Sequence, residues 1–293
     1  MGDYKIVELT CGLGNQMFQY AFAKALQKHL QVPVLLDKTW YDTQDNSTQF
    51  SLDIFNVDLE YATNTQIEKA KARVSKLPGL LRKMFGLKKH NIAYSQSFDF
   101  HDEYLLPNDF TYFSGFFQNA KYLKGLEQEL KSIFYYDSNN FSNFGKQRLE
   151  LILQAKNSIF IHIRRGDYCK IGWELGMDYY KRAIQYIMDR VEEPKFFIFG
   201  ATDMSFTEQF QKNLGLNENN SANLSEKTIT QDNQHEDMFL MCYCKHAILA
   251  NSSYSFWSAY LNNDANNIVI APTPWLLDND NIICDDWIKI SSK

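Results

Sequence analysis

Apolar positions along this chain follow two rhythms. Short runs rich in β-branched and aromatic residues alternate with longer stretches where apolar residues recur every three or four positions, the signatures of strand and amphipathic helix. YKIVEL (4–9) reads as a strand, and CGLGNQ follows as a turn built on Gly12 and Gly14. A helix from about Asn15 to Leu30 carries Met17, Phe18, Ala21, Phe22, Ala25 and Leu26 on a wide apolar face. Pro33 then opens VPVLLD, a second strand ending at Asp37, which completes a βαβ unit.

The middle of the chain changes character. Residues 61–95 read as a polar helical segment broken at Pro78-Gly79, followed by the basic stretch LRKMFGLKKH, a solvated face rather than a docking patch. FTYFSGFFQNAKYL (110–123) is dense in aromatics and is expected to pack a core edge or line a cleft. A helix over about 142–155 leads out of this half.

Alternation then resumes: strand NSIFIHI, helix 178–191, strand KFFIFG, helix 203–214, polar loop 217–227, helix EDMFLMCYC, strand HAILAN, helix SSYSFWSAYL and strand NIVIAP. Strands alternating with helices imply parallel sheets covered on both faces. The expected fold class is α/β, with two Rossmann-like domains facing a cleft, residues 1–155 and 156–293, and a helical middle segment.

Composition narrows the function classes. The chain is 45% hydrophobic and 22% charged, an ordinary globular balance. A net charge of −5 argues against a nucleic-acid partner held by bulk positive potential, so any anionic ligand must meet a local cluster of cations. The five cysteines form no disulfide or zinc framework, and reduced thiols are expected. Neither a leader pattern nor an apolar run long enough to span a bilayer is visible, so the expected location is cytoplasmic, with at most peripheral membrane contact.

In an open parallel sheet, ligands bind beyond the carboxyl ends of strands. Three polar clusters fall at such ends. The strongest is IHIRRGDY, with His162, Arg164, Arg165 and Asp167: guanidinium groups keep their charge and present a planar fork that fits phosphate or carboxylate oxygens. The second is Asn251, Ser252 and Ser253, where free N–H groups at a helix start favour an anion. The third is Gly14, Asn15 and Gln16, where glycine lets backbone approach a ligand and two amides offer hydrogen bonds. A dinucleotide fingerprint is the rival there, with Asp37 as its acid, but Met17 stands where the third glycine belongs. An NAD-dependent oxidoreductase and a non-catalytic sugar-nucleotide-binding module are therefore the alternatives. The one D-x-D, Asp278 to Asp280, reads as a turn rather than a metal site.

Three motifs, GLGNQMFQYAFAKAL, HIRRGDY and ANSSYSFWSAYL, together with GFFQNAKYL and EDMFLMCYCKH, resemble the bacterial α-1,2-fucosyltransferases of glycosyltransferase family 11. The matches are in order and span residues 12 to 261; Cys11, Ala120 and Phe256 depart from the family pattern. The resemblance implies a GT-B fold and metal-free, inverting transfer of fucose from GDP-fucose to a galactose-terminated acceptor, as in lipopolysaccharide or O-antigen synthesis. It implies that the donor binds mainly the C-terminal domain and the acceptor the N-terminal one. Arg164, His162 and Asp167 would then be catalytic, with Arg164 stabilising the leaving diphosphate. Gly14, Asn15, Gln16, Arg165, Asp237, Asn251, Ser252 and Ser253 would bind GDP-fucose. The base that deprotonates the acceptor is unplaced, Asp167 and Asp37 being candidates.

Overall fold

The computed structural model describes residues 4–42, 48–72, 90–95, 97–200, 204–225 and 235–293, with the side chains of Asp167, Met204 and Ser205 left aside. Nearly all of the basic stretch, like the Pro78-Gly79 break, lies outside the described residues. The chain forms two compact units, Met1–Tyr135 and Tyr136–Lys293.

The first unit contains β1 (Lys5–Glu8), α1 (Leu13–Leu30), β2 (Val34–Asp37), α2 (Asn64–Lys71), β3 (Ile92–Ser95), β4 (Tyr112–Gly115) and α3 (Glu127–Ile133). Its sheet has the order β2-β1-β4-β3, every pair parallel. The aromatic stretch that holds β4 is core: Phe22 of α1 stacks on Phe117 at 3.8 Å and meets Phe113 and Tyr122 edge-on. Strand β4 shows no alternation because Tyr112 and Phe113 are both buried, as strands covered on two faces are.

The second unit contains α4 (Asn143–Gln154), β5 (Asn157–His162), α5 (Asp167–Ile171), α6 (Met177–Met188), β6 (Pro194–Phe199), α7 (Met204–Asn213), β7 (Ser221–Asn223), α8 (Glu236–Cys242), β8 (His246–Ile248), α9 (Ser253–Tyr260), β9 (Val269–Thr273) and β10 (Ile288–Ser291). The strand order is β10-β9-β8-β5-β6-β7, again all parallel. Ile159, Ile161 and Ile163 point into the core with Tyr179, Ile184 and Ile187 of α6. Alternation along β5 therefore turns His162 to the opposite face.

The boundary between units precedes α4 rather than following it. Arg148 on α4 is buried and ion-paired with Glu236 (3.0 Å) and Asp237, both on α8. Glu236 also accepts from the backbone N–H and hydroxyl of Ser142, the residue that caps α4. Gly145 lies where a Cβ would come within 2.5 Å of the Glu236 carboxylate, so any larger residue would push that buried carboxylate aside. The short strand β7 sits inside the stretch expected to be a polar loop; its Ser221 and Asn223 occupy a sheet edge, where polar residues are normal.

Candidate active site

Strand β5 has β6 on one side and β8 on the other, and the chain runs outward in both directions from that pair. The order therefore reverses between β5 and β8, the place where open α/β sheets hold ligands. Two of the sequence clusters meet there: Ile163–Gly166 leaving β5, and Ala250–Ser253 leaving β8. Helix α6 fixes both ends from below, as Tyr180 donates to the His162 carbonyl (3.1 Å) and Tyr179 to the Leu249 carbonyl (2.7 Å). Tyr168 of α5 ties the two loops by donating to the Asn251 carbonyl at 3.2 Å.

Arg164 and Arg165 are both exposed and diverge. The Arg164 guanidinium lies over the Tyr168 ring at 5.4 Å, and that of Arg165 over the Phe206 ring of α7 at 4.0 Å. A cavity of about 240 Å³ opens beside them, lined also by Glu174, Met177, Tyr180 and Phe206. The combination of fixed cations, one carboxylate and apolar walls suits an anionic group joined to a less polar one. The Asp167 backbone opens α5 after Gly166.

His162 takes a narrower part than a proton-transfer catalyst. Its side chain is buried, 5.8 Å from the Tyr254 ring. Burial pushes its pKa down to about 3, and the Arg164 charge adds to the effect, so the imidazole is neutral near pH 7. Its Nδ1 has no partner among the described residues, and neither has the buried Oδ1 of Asn251. Asn251 Nδ2 donates to the Trp173 carbonyl (2.9 Å), so this side chain holds the segment after α5 and keeps only its oxygen for a ligand. Ser252 caps α9, accepting from the Tyr254 N–H at 3.3 Å, and Ser253 is the first residue of that helix. Together they place a helix N-terminus beside the arginine loop's neighbour strand, a favourable setting for an anion.

Other sequence candidates are committed elsewhere. Asp237 is ion-paired with Arg148, which leaves it less able to read a nucleotide than a free carboxylate. Gln16 is fully buried: its amide donates to the Cys11 carbonyl (2.9 Å) and accepts from the Ser51 N–H (3.0 Å), so it braces the turn rather than facing a donor. Asn15 accepts from Gln118 Nε2 at 2.5 Å, and Gly14 is buried in the first turn of α1. Asp37 is sealed as well. It accepts from the Tyr112 hydroxyl (2.6 Å) and from both the N–H and hydroxyl of Thr39. Burial opposes its ionisation, but these bonds and Lys71 outweigh it and hold the carboxyl below the usual range. Both of its oxygens are thus engaged within the fold.

Among the described residues, no cluster of three or more His, Cys, Asp or Glu is arranged for a metal ion. Asp280, in the D-x-D turn, has both oxygens engaged, by the Thr273 hydroxyl (2.6 Å) and the Trp275 N–H (2.9 Å). All five cysteines are free thiols.

The sequence matches the family described as Glycosyl transferase family 11 over residues 6–291. The chain belongs to that family. A protein from Escherichia coli named O-antigen biosynthesis glycosyltransferase WbnK is 31% identical over 96% of this chain and 99% of its own length. An Escherichia coli Alpha-1,2-colitosyltransferase is 30% identical over 97% of this chain and 98% of its own. Among solved structures, a mutant of Arabidopsis thaliana FUT1 in complex with GDP superposes with a TM-score of 0.53 at 12% identity, covering 92% of this chain and 70% of that one. This family 11 glycosyltransferase therefore has the α/β, GT-B class of fold that its sequence implied. Trp173, Glu174 and Arg148 are parts of the site or its frame that sequence reading missed. Arg148 sits in an amphipathic helix where a lone arginine reads as solvent-facing, and nothing local marks it otherwise.

Proposed function

We propose that this glycosyltransferase moves L-fucose from GDP-β-L-fucose to the 2-hydroxyl of a terminal galactose, with inversion, giving an α-1,2 linkage on a bacterial surface glycan such as an O-antigen. One observation carries the reading: Arg164 and Arg165 stand exposed at the switch point, beside a helix N-terminus and a cavity of about 240 Å³. As the C1–O bond to the β-phosphate breaks, its electron pair stays on the diphosphate and positive charge grows on the sugar ring. Guanidinium forks aimed at that diphosphate stabilise the transition state more than the ground state, and Arg164 is assigned this role. Arg165, stacked on Phe206, supports the loop and the donor's charge. The unpaired Asn251 oxygen and His162 nitrogen offer the donor one hydrogen bond each.

A second donor has its own support, since one relative at 30% identity is named for colitose. Colitose is L-fucose without the 3-hydroxyl, so the same cations would serve a GDP-linked donor of either sugar.

The test offers the enzyme GDP-fucose or GDP-colitose with a panel of galactosides, EDTA present, and determines the product linkage by NMR. An α-1,2-fucosyl galactoside formed in EDTA is the expected result. Activity abolished by the chelator, or tight binding of NAD in place of GDP, overturns the reading.

A further inference from the structure

We propose that Glu174 is the general base that takes the proton from the attacking hydroxyl. The assignment rests on the glycosyl-transfer reading above and supplies the group that reading lacks. A sugar hydroxyl is a weak nucleophile and a very weak acid, so as its oxygen bonds to C1 its proton must pass to an acceptor within hydrogen-bond reach. That acceptor has to be unpaired, open to ligand, and close to the cations that receive the leaving group.

Most carboxylates near the strand ends fail one of these conditions. Asp37 is fully buried beneath Tyr112, Thr39 and Lys71. Asp237 is ion-paired with Arg148, and Asp280 has both oxygens engaged within its turn. Glu174 meets all three. It is exposed and lines the same cavity as Arg164 and Arg165, and its carboxylate has no hydrogen bond or ion pair among the described residues.

Its backbone is held on both sides. Trp173 donates its N–H to the Tyr168 carbonyl (3.0 Å) and accepts from Asn251 Nδ2 (2.9 Å), while Gly176 caps α6 and accepts from the Tyr179 N–H (3.2 Å). Glu174 thus sits on a segment fixed to the ends of β8 and α6, the kind of pre-set geometry that proton transfer needs. The rest of the cavity wall, Leu175, Met177, Tyr180 and Phe206, is largely apolar.

The step balances without another reactant. The acceptor oxygen forms its bond to C1, and the C1–O bond to diphosphate breaks with its electron pair leaving on phosphate. The hydroxyl proton moves to a Glu174 oxygen and is lost to solvent after product departs.

The experiment compares wild type with Glu174→Gln, which keeps shape and hydrogen bonding but cannot accept the proton. GDP-fucose affinity is read by calorimetry, melting temperature by circular dichroism, and kcat with a saturating galactoside. The expected result is a kcat lower by about 10²–10⁴-fold, with donor Kd and melting temperature unchanged. A kcat within tenfold of wild type overturns the assignment, and so does a parallel loss of donor binding, which would make Glu174 a binding group. If wild type neither binds nor turns over the nucleotide sugar, the glycosyl-transfer reading itself fails, an outcome distinct from either result for the variant.

Discussion

Gly200, at the end of β6, lies against the imidazole of His162, at the end of β5. A Cβ at position 200 would sit 3.3 Å from the His162 ring and 2.2 Å from the Ile163 carbonyl, and the backbone there has φ +81°. Gly200→Ala is therefore expected to lose at least about 1–2 kcal/mol for the left-handed backbone alone. The displaced Ile163 carbonyl moves the arginine loop, so turnover should fall together with stability. Urea denaturation and a kcat measurement on the same preparation check both; an alanine variant as stable and active as wild type contradicts the packing described.

His162 makes stability depend on pH in a defined direction. Its folded pKa of about 3 lies below the ordinary histidine value, so the unfolded chain binds a proton that the folded one refuses. The contribution of neutral His162 is complete above about pH 6.5 and is lost as pH falls from there toward 3. Against His162→Gln, wild type should lose up to roughly 1.4 kcal/mol more per pH unit in that window. Chemical denaturation at pH 7, 6 and 5 measures it, and parallel curves for the two proteins would count against a buried neutral imidazole.

Arg148→Met should destabilise the second unit by about 3–5 kcal/mol, because Glu236 would stay buried without its cation. Adding Glu236→Gln should recover part of that loss. Thermal melts of the single and double variants give the answer, and equal melting temperatures for Arg148→Met and wild type would deny the pair its structural role.

Arg164→Ala should lower kcat by roughly 10²–10³-fold in the proposed transfer. Arg164→Lys should recover little, since an ammonium is a point charge and not a fork. A folded alanine variant within tenfold of wild type removes Arg164 from the chemistry.

The alternation of NSIFIHI and the arginines at its end were legible because a strand's two faces are written in its own residues. The same local reading correctly brought His162–Gly166 and Asn251–Ser253 to neighbouring strand ends. It could not show the surroundings of Asp37 and Gln16, which are made by distant residues: Tyr112, 75 positions further on, bonds the first, and Ser51, 35 positions on, occupies the second. Glu174 escaped notice because it belongs to no periodic element and meets the arginines only through the turn that Asn251 holds in place. Strands β7 and β10 were missed because edge strands of three and four residues are too short for a period of two to stand out.

The ion pairs that Arg148 makes with Glu236 and Asp237 bear on anyone building chimaeras from such enzymes. A splice placed just ahead of NSIFIHI would strand two anions and give the graft an arginine from the wrong parent. Cutting after Tyr135 keeps the trio together, and with it the second unit as one exchangeable part.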